Sequence, residues 1–185
     1  MDWNTLAQEV EKLYDQLHEI SRAYYHLWRE SILFSWRWWI ALLLIIGPWT
    51  LWILVRKKES TARLLLAGAI VAIIASFLDF LGVSLNLWSY PTTVFPLMPS
   101  YVPFDLSAMP VSAMLWLQFF PRMKLVWKAP IYGAVGSFLF EPFCDRIGLV
   151  IQHGWSYLYS FALLNLIYLL AYFVATRNSF QPFKE

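Results

Sequence analysis

The run WSYPTTVFPLMPSYVPFDLSAMP, residues 88–110, decides how this chain is read. Five of the chain's ten prolines fall here: Pro91, Pro96, Pro99, Pro103 and Pro110. The run holds no Lys or Arg, and its one charge is Asp105. Proline has no backbone N–H and cannot extend a helical ladder, so the spacing predicts a non-helical segment. Apolar runs of bilayer-spanning length lie on both sides. The segment therefore reads as a lid at one end of a helical bundle, not as a linker.

Composition supports that frame. Of 185 residues, 59% are hydrophobic, 19% aromatic and only 14% charged. Soluble domains average about 25% charged residues, so the chain belongs among integral membrane proteins. The net charge of +2 comes without a dense basic patch, which excludes the usual nucleic-acid-binding surface. The single cysteine, Cys144, excludes an intrachain disulfide. The first apolar run begins near residue 38, behind a mixed-charge segment, so no cleavable signal peptide is expected.

Outward from the proline run, the fold class predicted is all-α: about five transmembrane helices plus an N-terminal amphipathic helix. Residues 1–36 form that preface. Leu6, Val10, Leu13, Leu17, Ile20, Tyr24 and Leu27 recur at alternating steps of four and three, an a/d stripe. Two readings fit it: an amphipathic helix packed on the bundle or lying at the membrane interface, and a short coiled coil that pairs copies or holds a membrane-protein partner. Residues 37–176 form the bundle. Its spans are expected at 38–55, with Gly47-Pro48 as a kink, then at 64–86, 106–120, 125–147 and 156–176. The third is short for a span. Residues 177–185 read as a polar tail.

Charge sets the expected orientation. With the 56–63 loop in the cytoplasm, that side holds Arg56, Lys57, Lys58, Arg63, Arg122, Lys124, Lys128, Arg177 and Lys184. The opposite side holds Lys12, Arg22, Arg29, Arg37 and Arg146. The positive-inside rule then predicts an outer N-terminus and an inner C-terminus in a plasma membrane.

This topology gathers acids at the outer end. At about 100° per residue, Asp79 and Asn86 lie within about 40° of Gly68, beside Ala72, Ala75 and Gly82. Small residues mark helix–helix contacts in membranes, so Asp79 faces the bundle, about 10 Å below the outer end of its span. Glu141 shares a face with Gly133, Ser137, Cys144 and Gly148. Asp105 opens the third span at the outer surface, as a helix cap or a site group. Asp145, Arg146 and His153 lie nearby, with structural roles equally open to them. Ionisable side chains inside a membrane are costly and face the interior or a wet cavity. The candidate polar site is thus Asp79, Asn86, Asp105, Glu141, Asp145, Arg146 and His153. No P-loop, HExxH, CxxC or GxSxG motif is present. No catalytic residue, metal site or cofactor is therefore expected.

The pattern Leu87-Trp88-Ser89-Tyr90-Pro91, Pro96, Pro99, Pro103-Phe104-Asp105-Leu106 and Pro110 resembles a family of small polytopic membrane proteins from spore-forming Gram-positive bacteria. So does Glu141, Asp145, Gly148, Trp155 and Tyr159-Ser160. The resemblance covers roughly residues 64–176. It implies a multi-pass bundle in a bacterial membrane and no particular reaction. Two functions stay open: a non-enzymatic membrane component that binds a partner through residues 1–36, and a small transporter or ligand- or cation-binding protein using the outer acids.

Overall fold

The computed structural model describes residues 1–96 and 101–177; Pro99, and Lys184 with the rest of the tail beyond Arg177, lie outside the described residues. Seven α-helices run in chain order: α1 (Trp3–Leu27), α2 (Trp36–Val55), α3 (Thr61–Ser84), α4 (Met109–Phe119), α5 (Leu125–Ala134), α6 (Glu141–Arg146) and α7 (Tyr157–Thr176). Two short strands, β1 (Trp88–Ser89) and β2 (Ile151–Gln152), pair antiparallel. Three helices are long and apolar enough to cross a membrane: Trp36–Val55, Lys58–Ser84 and Tyr157–Thr176. Two further stretches, 102–119 and 125–146, are helical throughout but each contains a π-helical turn, Phe104–Ala108 and Val135–Phe140.

The π turns have a covalent cause. Each immediately precedes a proline-bearing turn, Pro110 in one and Pro142 in the other. A helical proline removes one hydrogen bond, and its ring presses on the carbonyl four residues back. A wider turn relieves that pressure. At Pro110 the carbonyl in question belongs to Leu106, and the Trp49 indole donates to it at 2.9 Å. Ser107 answers by donating its hydroxyl to the Ile45 carbonyl at 2.8 Å, so α2 and this turn are cross-tied.

Several expected boundaries move. The proline run is not irregular throughout: helix resumes at residue 102. Pro103 is tolerated because a first-turn residue has no intrahelical N–H bond to lose. The span expected at 64–86 ends at Ser84, and Asn86 adopts a left-handed backbone, φ 55°, which closes the helix. The preface is not one helix to residue 36. A π-helical turn, Trp28–Ile32, follows α1, and Phe34 at φ 61° then breaks the chain before α2. Lys128, counted from sequence with the cytoplasmic bases, is buried, and its ammonium donates to the Leu117 carbonyl near the end of α4.

α3 is the central element. It packs against α4 and α7, α5 packs on α7, and α2 leans on α4 and the Phe104–Ala108 turn. Val71, Val111, Met114, Tyr168 and Ala171 are fully buried where these helices meet. In a membrane the apolar effect does not separate helix from lipid, so close packing of small residues carries the association. Gly68 shows it: a Cβ there would run into the Met114 sulfur. Gln118 ties the ends of α2 and α4, with its amide donating to the Val55 carbonyl and its oxygen accepting from the Lys57 N–H. In contrast, α1 buries no residue. Among the described residues it is hydrogen-bonded to the rest at its end, where the Tyr24 hydroxyl meets Thr93 and the adjoining Trp28 indole donates to the Thr93 carbonyl.

Candidate functional site

The ends of α3 and of α6 lead into the two loops that face each other at one end of the bundle. Trp88 pairs with Gln152 and Ser89 with Ile151, and the His153 N–H donates to the Leu87 carbonyl at 2.9 Å. This ribbon joins the proline-rich loop to the 147–156 loop. Gly82 makes room for it: a Cβ there would overlap the Trp88 ring. Trp88 in turn stacks edge-on against Trp155, at 5.0 Å between centroids.

Below the ribbon lies a cavity of about 550 Å³. Its polar end is built by Asp79, Asp105, Glu141, Gln152 and Ser160, and its walls by apolar and aromatic side chains from α2, α3, α4, α5 and α7. Both cavity-lining π turns contribute residues, Phe104 and Asp105 from one and Val135, Gly136 and Phe140 from the other. Leu51 and Val135 line it while exposed at 50% and 45%, so the chamber reaches the side of the bundle between α2 and the 125–140 segment.

Three donors hold Asp79. The Trp88 indole and the Tyr90 hydroxyl converge on Oδ1, at 2.7 and 2.6 Å, and the Tyr101 N–H donates to Oδ2 at 2.8 Å. All three come from the proline-rich loop, so the loop folds onto α3 around this one carboxylate. Charge-assisted bonds of this kind are about twice as strong as neutral ones. The Tyr90 and Tyr101 rings stack at 4.2 Å, with Phe104 edge-on to Tyr101, which clamps the loop in place.

Asp105 sits beside Asp79 at the polar end of the cavity. It is only 2% exposed, and its Oδ2 has no hydrogen-bond partner among the described residues. Its expected place at the outer surface is thus corrected: one residue into the π turn, its side chain is turned inward. Glu141 Oε1 accepts from Gln152 at 2.6 Å and from the Ser160 hydroxyl at 3.0 Å, and Ser160 itself accepts from the Trp155 indole.

The remaining sequence candidates fall elsewhere. Asp145 accepts from the Tyr157 hydroxyl at 3.2 Å, away from the cavity wall. Asn86, Arg146 and His153 are exposed and do not line the chamber. His153 meets the Ser89 hydroxyl at 2.9 Å on the outside of the ribbon. Sequence reasoning missed Trp88, Gln152, Trp155 and Ser160 as partners of the acids. The aromatic residues were legible only as interface belts, and Gln152 only as part of a polar turn. Among the described residues no group of three His, Cys, Asp or Glu side chains gathers as a metal site. Comparison with known proteins yields no matching family model, no similar curated protein and no similar solved structure.

Proposed function

We propose that this chain is a five-span membrane protein that binds, and passes along the bundle, a small amphipathic molecule. One observation carries the reading: a chamber of about 550 Å³ with an acidic end under a loop lid, apolar walls, and a mouth at the side of the bundle. Ligand sites are typically concave, mostly apolar, and fitted with a few placed polar groups, at roughly 300–1,000 Å³. The cavity matches that description without any side-chain movement.

The test uses Cys144, the only cysteine and fully buried, as a reporter. A thiol-reactive dye signals unfolding of the full chain in detergent. Phenylbutanol, an uncharged aryl-alkyl alcohol, should raise the unfolding temperature saturably by about 2–4 °C. Ala108→Trp, which fills the chamber from its wall, should abolish the rise while leaving the unliganded protein folded. A rise that never saturates, or that persists in the filled variant, removes the reading.

A second reading rests on α1. Its apolar stripe is bare: Leu6, Val10, Leu13, Leu17, Ile20 and Leu27 are all exposed. Residues 1–36 carry six acids against three bases, the wrong balance for a helix attracted to an anionic lipid surface. A strict seven-residue repeat favours winding against another helix, and the partner this fits best is α1 of a second copy. A cysteine at Leu13→Cys, in a Cys144→Ser background, should cross-link copies in the membrane, whereas Lys12→Cys should not. Equal cross-linking at both positions would count against pairing.

A further inference from the structure

Resting on the chamber reading, we infer that its ligand is an organic cation, an alkylammonium carrying an apolar or aromatic tail, and that Asp105 is the counter-ion it exchanges for a proton. The lining contains three carboxyl groups and no Lys, Arg or His. An isolated charge in such a place would be strongly disfavoured, so each carboxyl must be accounted for. Asp79 is satisfied by three donors. Glu141 accepts from Gln152 and Ser160 on Oε1. Of the three carboxyls, Asp105 is the one with a buried oxygen that lacks a partner among the described residues, and it lines the cavity; Gln152 Oε1 is the other such oxygen on the lining.

The surroundings define what completes that oxygen. Two carboxyl groups side by side do not both stay ionised without a counter-charge. With the chamber empty, a proton on Asp105 meets the requirement. A ligand ammonium meets it equally well, and supplies the missing donor at the same time. The groups that face Asp105 are all acidic or neutral: Asp79 from α3, Tyr90 and Tyr101 from the loop, and Glu141 across the chamber from α6. None competes for the role of cation. Trp88, Tyr90, Trp116, Tyr132 and Trp155 add aromatic faces to the walls, and such faces attract ammonium groups in desolvated sites. An anionic ligand would meet three carboxyls and no compensating base.

The exchange balances simply. On binding, the Asp105 carboxyl releases its proton to solvent through the lid and pairs its oxygen with the ligand N–H. On release, the proton returns. No bond of the ligand changes. Because a proton and the cation compete for one carboxylate, cation binding weakens as pH falls.

The experiment compares three molecules of one skeleton: phenylbutylamine, phenylbutanol and phenylbutyrate. Each is titrated into the full-length protein in nanodiscs, with empty discs as background. At about pH 8 the amine should bind about tenfold or more tightly than the alcohol, and the carboxylate should not register above background. Lowering the pH to about 5.5, where the amine stays charged, should weaken amine binding about tenfold and leave alcohol binding unchanged. Asp105→Asn should bring the amine to the level of the alcohol and erase the pH dependence. Asp145→Asn, at an acid that does not line the chamber, should keep both the amine preference and the pH dependence. If amine and alcohol bind alike at both pH values, the cation inference fails while the chamber reading stands. If the amine preference survives Asp105→Asn, the counter-ion assignment is overturned. If none of the three binds, both readings fail.

Discussion

A single carboxylate organises the lid. Asp79 looks from sequence like an expensive intruder in an apolar span, and the structure shows what offsets its cost: three donors from one loop converge on it. The donors need the loop to lie flat on α3, and Gly82 permits this. The two glycines Gly47 and Gly82 therefore differ sharply in what they tolerate. A Cβ at Gly47 meets Leu43 at 3.6 Å, an ordinary contact, whereas a Cβ at Gly82 overlaps the Trp88 ring. We expect Gly47→Ala to leave thermal unfolding unchanged. Gly82→Ala should destabilise by about 1–3 kcal/mol, the range for overpacking. Unfolding of both variants followed through Cys144 checks this, and equal behaviour would show that Trp88 is not seated on α3.

At the scale of elements, proline does opposite things in different places. In 88–96 it keeps the chain irregular, as expected. In the 102–119 and 125–146 stretches it instead leaves a continuous helix with a π turn ahead of it. Those two turns widen the bundle where the cavity lies, and one of them rotates Asp105 inward. Such turns are frequent at functional sites because they free backbone groups and redirect side chains. α1 is the contrasting element. It contributes no buried residue, and among the described residues it is hydrogen-bonded to the lid through Tyr24 and the adjoining Trp28. Removing residues 1–22 should thus leave bundle unfolding unchanged while abolishing the cross-linking argued above, since copies would have lost the helix that pairs them.

At the scale of the whole molecule, the two π-broken stretches decide how many times the chain crosses the membrane. α3, α7 and α2 are long and apolar enough on their own. The 125–146 stretch is helical from Leu125 to Arg146 in three consecutive pieces, about 33 Å at 1.5 Å per residue, the thickness of a hydrocarbon core. Lys124 and His153 lie at opposite ends of it. In intact cells an impermeant thiol reagent should label His153→Cys and not Lys124→Cys, each in a Cys144→Ser background, given the excess of bases on the Lys124 side. Labelling of both or neither from outside would mean that this stretch does not cross, and the orientation would need to be redrawn.

The mostly helical class, the apolar runs and the inward face of Asp79 were all legible in the sequence, because they depend on composition and on helical period alone. Gly68, Ala75, Asp79 and Gly82 are buried along one face of α3, as their spacing requires. What lay beyond the sequence were pairings between residues far apart in the chain. Trp88 with Asp79, Gln152 with Glu141, and β1 with β2 each need two loops to meet, and no local pattern encodes that meeting. Asp105 is the sharpest case. Its neighbours suggested a helix cap at the surface, but the π turn before Pro110 turned it into the chamber beside Asp79. Sequence by itself determined that acids would lie within an apolar bundle. Only tertiary structure decided which of them found donors and which one was left with an oxygen to share, because hydrogen-bond satisfaction is a property of the assembled neighbourhood and not of the residue.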